Sequence, residues 1–335
     1  MTNSPGTVAV VVPVYNEPTW IGRCVDRVVS EIERSSFALD RVVIVDDGST
    51  DGTAEEVDRL ARSHQRVEVV HQANSGRFLA RRAGLERVRS DFVLLVDSRV
   101  LLEDGSLQYL ADHLTPDAVV WNGHVEVLTD GNPFATFWDT MTKIAWSEYF
   151  SEPRLTHFGL ERFDHYPKGT GCFFAPREVL ERGFAQFSTY FDDLRNASDD
   201  TSLIRDIAST RDIWISPGFG CSYVSRSTLR LFVSHAFQRG TFFVDGHLRR
   251  GARFAPVIVA FVPLSVLAMV VAALEPLLGV AMIVSVFLFA AAATAAKRQP
   301  ARAILVVGML APLFVAVYGF GIWRGLALVA RSRFR

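Results

Sequence analysis

Acidic side chains all but vanish from the end of this 335-residue chain: of 36, only Glu275 lies after Arg253. Seven basic residues remain there, a local balance of +6, whereas residues 1–253 hold 35 acidic against 28 basic, a balance of −7. The tail therefore lacks the mixed-charge surface of a soluble domain. What is left is an apolar segment with basic flanks, the pattern of a membrane anchor. Cysteine is also scarce. Cys24, Cys172 and Cys221 form no metal-ligand spacing and no disulfide framework, which excludes a cross-linked secreted scaffold and suits reduced thiols in a cytosolic domain. P-loop, nucleophile-elbow serine, internal repeat and low-complexity tract are all missing. With no basic patch interleaved with aromatics, nucleic acid is not an expected partner. The polar N-terminal residues run directly into a strand-like stretch, so no signal peptide is expected. Apolar residues are plentiful, at 49% with a mean hydropathy of +0.20. The length allows one large domain plus an appendage.

The chain is organised around residues 41–53, Arg-Val-Val-Ile-Val-Asp-Asp-Gly-Ser-Thr-Asp-Gly-Thr. The apolar run reads as a buried parallel strand. It ends in an acidic turn at the carboxyl edge, where open α/β sheets bind ligands. Asp46 and Asp47 thus leave the sheet towards a crevice, and a capped helix is expected from Thr53 to Ala61. Two more apolar runs end alike. Residues 8–12 run into Pro13-Val-Tyr-Asn-Glu17, and residues 92–96 run into Asp97-Ser-Arg99. Helical stretches separate them; in residues 20–34, Ile21, Val25, Val28, Val29 and Ile32 are spaced for one buried helix face. This is βαβ alternation, and it predicts an α/β domain on a mostly parallel sheet with one active edge.

These motifs resemble the family 2 glycosyltransferases of GT-A fold: residues 12–17, Val45-Asp-Asp-Gly-Ser-Thr-Asp51, Asn74-Ser-Gly76 with Ala80, Arg81 and Gly84, and residues 91–97. Order and spacing match over about the first hundred residues and continue loosely to about residue 245. The resemblance implies a nucleotide-sugar donor, an inverting transfer and a divalent metal, Mg²⁺ or Mn²⁺. It places Pro13, Tyr15, Glu17, Asp46 and Asp47 at the nucleotide, and aligns Arg81 with the family motif as a group that could meet the diphosphate. The chemistry is apt, because a carboxylate accepts from a base N–H or ribose hydroxyls and guanidinium suits phosphate.

The family's Asp-x-Asp metal motif is altered here. Asp97 is kept, but Arg99 occupies the place of the second acid. In one account Asp97 still holds the metal and Arg99 points away. In another, Arg99 takes over part of the metal's work on the departing diphosphate. In a third, the donor site is degenerate and the protein does not catalyse.

Further on, Phe134, Phe137, Trp138, Met141 and Ile144 are helically spaced. They read as a core-facing helix or as an aromatic lip beside a membrane. Lys168-Gly-Thr-Gly-Cys-Phe-Phe-Ala175 resembles the family's strand before the acceptor site. Ser198-Asp-Asp-Thr-Ser-Leu203 resembles its acidic pair, which makes Asp200 the general base and Asp199 its neighbour. Both could equally be helix caps, and Asp192-Asp193 competes for the role. His235 and Arg239 loosely match a basic motif for acceptor or diphosphate. Leu229, Phe232, Val233, Ala236 and Phe237 share one face of an expected interfacial helix.

Three apolar runs follow, at 255–274, 277–296 and 303–323, each near the roughly 20 residues that span a hydrocarbon core. Basic residues at both ends of the first two place a hairpin with its Glu275-Pro276 tip outside the cytosol. For the third run a full crossing is expected, with a re-entrant dip at 308–312 as the alternative. The expected domains are 1–228 for the catalytic unit, 229–253 for an interfacial segment and 254–335 for the membrane region. The reading is an integral membrane protein with a cytoplasmic catalytic domain, which moves a sugar from a nucleotide-sugar donor to a lipid-linked or cell-envelope glycan acceptor. Membrane lipids are the expected surroundings, and the oligomeric state is open. The alternatives are a polyprenyl-phosphate glycosyl synthase, a polysaccharide polymerase, a nucleotidyltransferase or a non-catalytic membrane scaffold.

Overall fold

The computed structural model describes residues 5–248 and 254–333, the side chains of Asp199, Asp200 and Arg333 excepted. In chain order the elements are β1 (Thr7–Val14), α1 (Ile21–Glu33), β2 (Ala38–Asp46), α2 (Thr53–Ser63), β3 (Val67–His71), α3 (Arg77–Leu85), β4 (Phe92–Val96), β5 (Val100–Leu102), α4 (Ser106–Asp112) and β6 (Trp121–Leu128). Then come α5 (Pro133–Ala145), α6 (Ser147–Phe150), β7 (Thr156–Phe158), β8 (Cys172–Pro176), α7 (Arg177–Gln186), α8 (Asp199–Ala208) and β9 (Ile213–Val224). The chain continues into α9 (Leu229–His247), α10 (Ala255–Leu274), α11 (Pro276–Ala296) and α12 (Ala301–Arg333). They fall into two compact units. The first comprises residues 1–128, 148–188 and 199–224; the second comprises 129–147, 189–198 and 225–335.

The first unit is built on one sheet in the order β3-β2-β1-β4-β8-β6-β9-β5, with β7 beside β9. The first four strands are parallel, as their uninterrupted apolar runs predict. The other half is mixed, within the mostly parallel expectation: β8 joins β4 antiparallel and β6 joins β8 antiparallel, while β6 and β9 are parallel. Val8 to Val12 and Val42 to Val45 are essentially inaccessible, each valine or isoleucine side chain contributing about 1.5–3 kcal/mol. On α1, Ile21, Val25, Val28 and Ile32 are buried at the expected spacing. The chain goes from β1 outwards to β2 and β3, then returns to β4 on the other side of β1, which makes a topological switch point. The β1–β4 ladder stops at Val11–Leu95, whereas β1 stays paired with β2 up to Val14–Asp46. A crevice therefore opens between the ends of β1 and β4. Pro13 lies in this overhang, where its missing N–H breaks no β1–β4 bond.

In the second unit α5 starts at Asn132, whose Oδ1 accepts from the Phe134 and Ala135 N–H groups, with Pro133 next to it. Phe137 of α5 packs with Phe232 of α9 and Val307 of α12, joined by Phe134, Trp138 and Met141. This is the core-facing reading of α5. Gly240 and Gly321 bring α9 and α12 into backbone contact, with Thr241 Oγ1 donating to Gly321 O at 3.1 Å. The segment 189–198 is pinned to the same helices. Asp245, 1% exposed, accepts from Thr189 Oγ1, Tyr190 N and Ser198 N at 2.7, 2.8 and 2.7 Å. Phe191 is buried with Val244, Ile322 and Val329. Three helices, α10, α11 and α12, are long and apolar enough to cross a membrane. Glu275 alone separates α10 from α11. α12 is one continuous helix through Pro312, so the backbone does not fold back at 308–312, and the re-entrant alternative falls.

Candidate active site

The site is assembled where β1, β2 and β4 end. The turns after β1 and β2 are tied together. Asn16, at a φ of 55°, donates its N–H to Ser49 Oγ at 3.0 Å and accepts from Thr50 N at 2.8 Å. Thr53 Oγ1 accepts from Glu17 N at 2.8 Å and donates to Asp51 at 2.5 Å. Gly48 has a φ of 74°, and a Cβ there would sit 2.7 Å from Asn74 N. Glycine is thus required for the turn to lie against the 72–76 loop.

The acidic pair is buried and fully engaged. Asp46 accepts from Ser49 N at 3.0 Å, and its Oδ2 lies 3.0 Å from His71 Nδ1, whose other ring nitrogen is 3.1 Å from Asp58. The Asp46 hydrogen bond first, then that to Asp58, raise the His71 pKa. Asp47 accepts from Gln72 Nε2, Ser75 N and Gly76 N at 2.7, 2.8 and 2.8 Å. It holds the 72–76 loop. Tyr15 is 47% exposed, an open ring at the crevice. Pro13 is buried within β1 opposite Val45.

Two ion pairs form the other wall. Arg81 of α3, 1% exposed, donates from Nη2 to Asp97 Oδ1 at 2.7 Å. Asp97 Oδ2 faces Gly171, where a Cβ would lie 3.0 Å away. A side chain at 171 would crowd that oxygen. Beneath, the Cys24 thiol donates to Asp97 O at 3.5 Å, and burial above all pushes its pKa well above the usual thiol range. Arg99 turns to Glu17, with Nε to Oε1 at 2.5 Å. Both side chains are mostly buried.

Among the described residues no three His, Cys, Asp or Glu side chains converge as a metal cage. Asp97 presents one carboxylate at this edge, and one carboxylate is enough to join Mg²⁺ carried on substrate phosphates.

The remaining expected residues lie elsewhere. Asp199 and Asp200 occupy the first turn of α8, and their side chains lie outside the described residues. Asp193 caps the turn at Leu194–Asn196 and pairs with Arg195, whose hydrogen bond lowers its pKa. On α9 in the second unit, Arg239 Nε donates to His235 Nε2 at 3.1 Å and its guanidinium lies 5.4 Å from the Trp138 ring centre. Asn74-Ser-Gly76 is readable from the sequence, whereas nothing in the sequence assigns a role to Gln72, His71 or Asp58. Their spacing carries no signal, since each meets its partner only through the parallel pairing of β2 with β3 and the return of α2.

The Glycosyl transferase family 2 model matches residues 9–184. Glycosyltransferase GlyG of Streptococcus pneumoniae serotype 4 is 28% identical over 129 residues, 37% of this chain and 42% of that protein. The chondroitin synthase of Pasteurella multocida (strain Pm70) is 29% identical over 152 residues, 44% of this chain and 15% of that protein. The chain thus spans less than half the length of these relatives. Among solved structures, the mannosyltransferase PcManGT from Pyrobaculum calidifontis, in complex with GDP-Man and Mn2+, aligns with a TM-score of 0.57 at 19% identity, covering 92% of this chain and 88% of that one. The shared fold is GT-A.

Proposed function

The chain belongs to glycosyl transferase family 2, and from that premise we propose a membrane-anchored inverting enzyme that moves a sugar from a nucleotide-sugar donor to a lipid-linked or cell-envelope glycan acceptor. The observation that carries this reading is the convergence of Tyr15, Glu17, Asp46, Asp47, Asp97 and Arg99 at the carboxyl ends of parallel strands β1, β2 and β4. Tyr15 offers a face to the base. The braced turn of Asp46 and Asp47 shapes the nucleotide pocket. Arg81 and Arg99, each already beside a carboxylate, bring positive charge to the diphosphate. Mg²⁺ or Mn²⁺, held by Asp97 and the donor phosphates, would supply further neutralisation of the leaving diphosphate.

Asp200, with Asp199 beside it, takes the proton from the acceptor hydroxyl as that oxygen attacks the anomeric carbon. The bond from that carbon to the phosphate oxygen breaks, and the nucleoside diphosphate departs with the electron pair. Attack from the opposite face inverts the anomeric centre. The α10–α11 hairpin anchors the enzyme, and basic residues at both of its ends keep the catalytic unit in the cytosol. An anchor in the same chain suits an acceptor that is itself lipid-linked.

Purified protein, screened against a panel of nucleotide sugars, is expected to release nucleoside diphosphate from one of them. Asp200→Asn is expected to lower that turnover by about 10²–10⁴ while donor binding survives. Release from none of the panel in the presence of lipid acceptors would favour a scaffold, and wild-type turnover in Asp200→Asn would remove that residue from the role.

A further inference from the structure

We propose that α12 does not cross the membrane. It lies flat in the cytosolic interface, with its exposed apolar stripe in the lipid and both of its ends on the side of the catalytic unit. The inference rests on the membrane-anchored reading above, and contacts within the second unit carry it.

The first observation is depth. Along the α10–α11 hairpin, distance from the Glu275 tip measures depth in the bilayer. Gly308 of α12 packs against Phe287 and Ala291 of α11, and Gly319 packs against Phe261 of α10. Phe261 lies 14 residues before the tip, and Phe287 and Ala291 lie 12 and 16 after it. At 1.5 Å per residue these two contacts are at one depth, about 21 Å from the tip, and the long Trp323 indole reaches Ser265 Oγ, at about 15 Å from the tip, from the same level. Gly308 and Gly319 themselves are separated by about 16 Å along α12. A helix that advances so far without changing depth runs across the hairpin, in the membrane plane. With a core of ~30 Å, that plane is about 9 Å inside the cytosolic boundary, where amphipathic interfacial helices sit.

The second observation is where α12 ends. The Arg302 guanidinium lies beside Gly131, three residues after β6. At the other end Arg324 Nη2 donates to Asn196 Oδ1 at 2.9 Å, and Ser332 Oγ donates to Tyr190 O at 2.9 Å, four residues after α7. Three or four residues reach at most ~14 Å, less than half the hydrocarbon core. Both ends of α12 are thus tethered by short chain to elements of the sheet unit. A sheet with open edges does not straddle a bilayer, so both ends belong on one side.

The third observation is the exposed face. Leu305, Met309, Leu313 and Phe320 are 57, 65, 37 and 61% exposed, and with Ala316 they recur every three to four residues along one stripe. The opposite face is closed by α5 and α9. No charged residue lies between Arg302 and Arg324. A face of this kind is covered by acyl chains, while the basic ends and tail stay with the anionic cytosolic surface.

Single cysteines at Leu277, Ala301 and Ala330, in a background with the three buried native cysteines replaced, would be treated on intact cells with a membrane-impermeant maleimide. The expected result is labelling at 277 from outside, and at 301 and 330 only after permeabilisation. Labelling of 330 from outside alongside 277 would overturn the flat helix and leave the anchor standing. Labelling of 301 and 330 from outside with 277 protected would keep the flat helix and reverse only the orientation. Should Ala330→Cys not accumulate, Ala327→Cys reads the same end. In proteoliposomes of zwitterionic and anionic phospholipid, spin labels at 305, 309, 313 and 320 should report one common depth. A steady rise of about 1.5 Å per residue from 305 to a maximum near the bilayer centre would overturn the proposal.

Discussion

At the scale of single residues, the proposed nucleotide pocket draws on Tyr15 and Asp47 in two different ways. Tyr15 stands in the open and ties nothing down. Tyr15→Ala is expected to weaken donor-nucleotide affinity by about 1–3 kcal/mol, the worth of one base–aromatic stack, with an unchanged melting temperature. Asp47 holds three donors of the 72–76 loop. Asp47→Ala should therefore lower affinity, by about 1.5–3 kcal/mol, together with the melting temperature. Calorimetry and thermal melts on the two variants check this, and an Asp47→Ala protein of wild-type stability would sink the bracing role. Arg99 decides the metal question. If Asp97 holds the cation as proposed, chelation should stop turnover, and added Mg²⁺ or Mn²⁺ should restore it. Turnover that persists in excess EDTA and disappears in Arg99→Ala would instead assign the diphosphate to the arginine.

At the scale of elements, His71 fastens the end of β3 to the end of β2 through Asp46 and to α2 through Asp58. Its folded pKa is raised. Its stabilising contribution is thus complete below the unfolded value of about 6.5 and is lost as pH rises through the higher folded value. Melting temperature followed from about pH 6 to about pH 9 should decline, and His71→Gln should flatten that decline; equal slopes would discard it. The strands and their ends were legible in the sequence because a buried parallel strand announces itself as an unbroken apolar run, as in residues 42–45 and 92–96. The partnerships were not. Arg81 reads as one of four arginines in a short stretch, and only the folding of α3 against β1 and β2 selects it for Asp97. Arg99 was visible as a break in an acidic motif, yet its partner Glu17 lies 82 positions away. The side chain most invisible was Asp245, an ordinary acid in an apolar helix until three donors from residues 189–198 meet it.

At the scale of the whole molecule, the second unit takes in two short pieces from the middle of the chain, 129–147 and 189–198, with the helices after residue 224. The sequence suggested a cut near residue 228, since local composition cannot show that α5 finds its core on α9 and α12. A consequence follows for truncation. A chain ending at residue 253 keeps every strand of the sheet but strips α12 from Phe137, Phe191 and Phe232. It is expected to bind nucleotide like the full chain and to lose turnover, because residue 198 leads directly into Asp199 and Asp200. Full turnover in that truncated protein, measured beside its nucleotide affinity, would show that the late helices serve the membrane alone.

Asp245 and α12 also set an order in time. Ser332 is 134 positions downstream of Ser198, and a ribosome adding roughly 5–20 residues per second needs on the order of ten seconds to cover that distance. Until then Phe191 has α9 but not Ile322 or Val329 to rest on, and Tyr190 lacks Ser332. The sheet, whose last strand ends at Val224, can close while the chain is still being made. The stretch that leads into Asp199 and Asp200 cannot complete its contacts until the last helix has emerged, so under the proposed mechanism the chain can hold a donor before it can spend one.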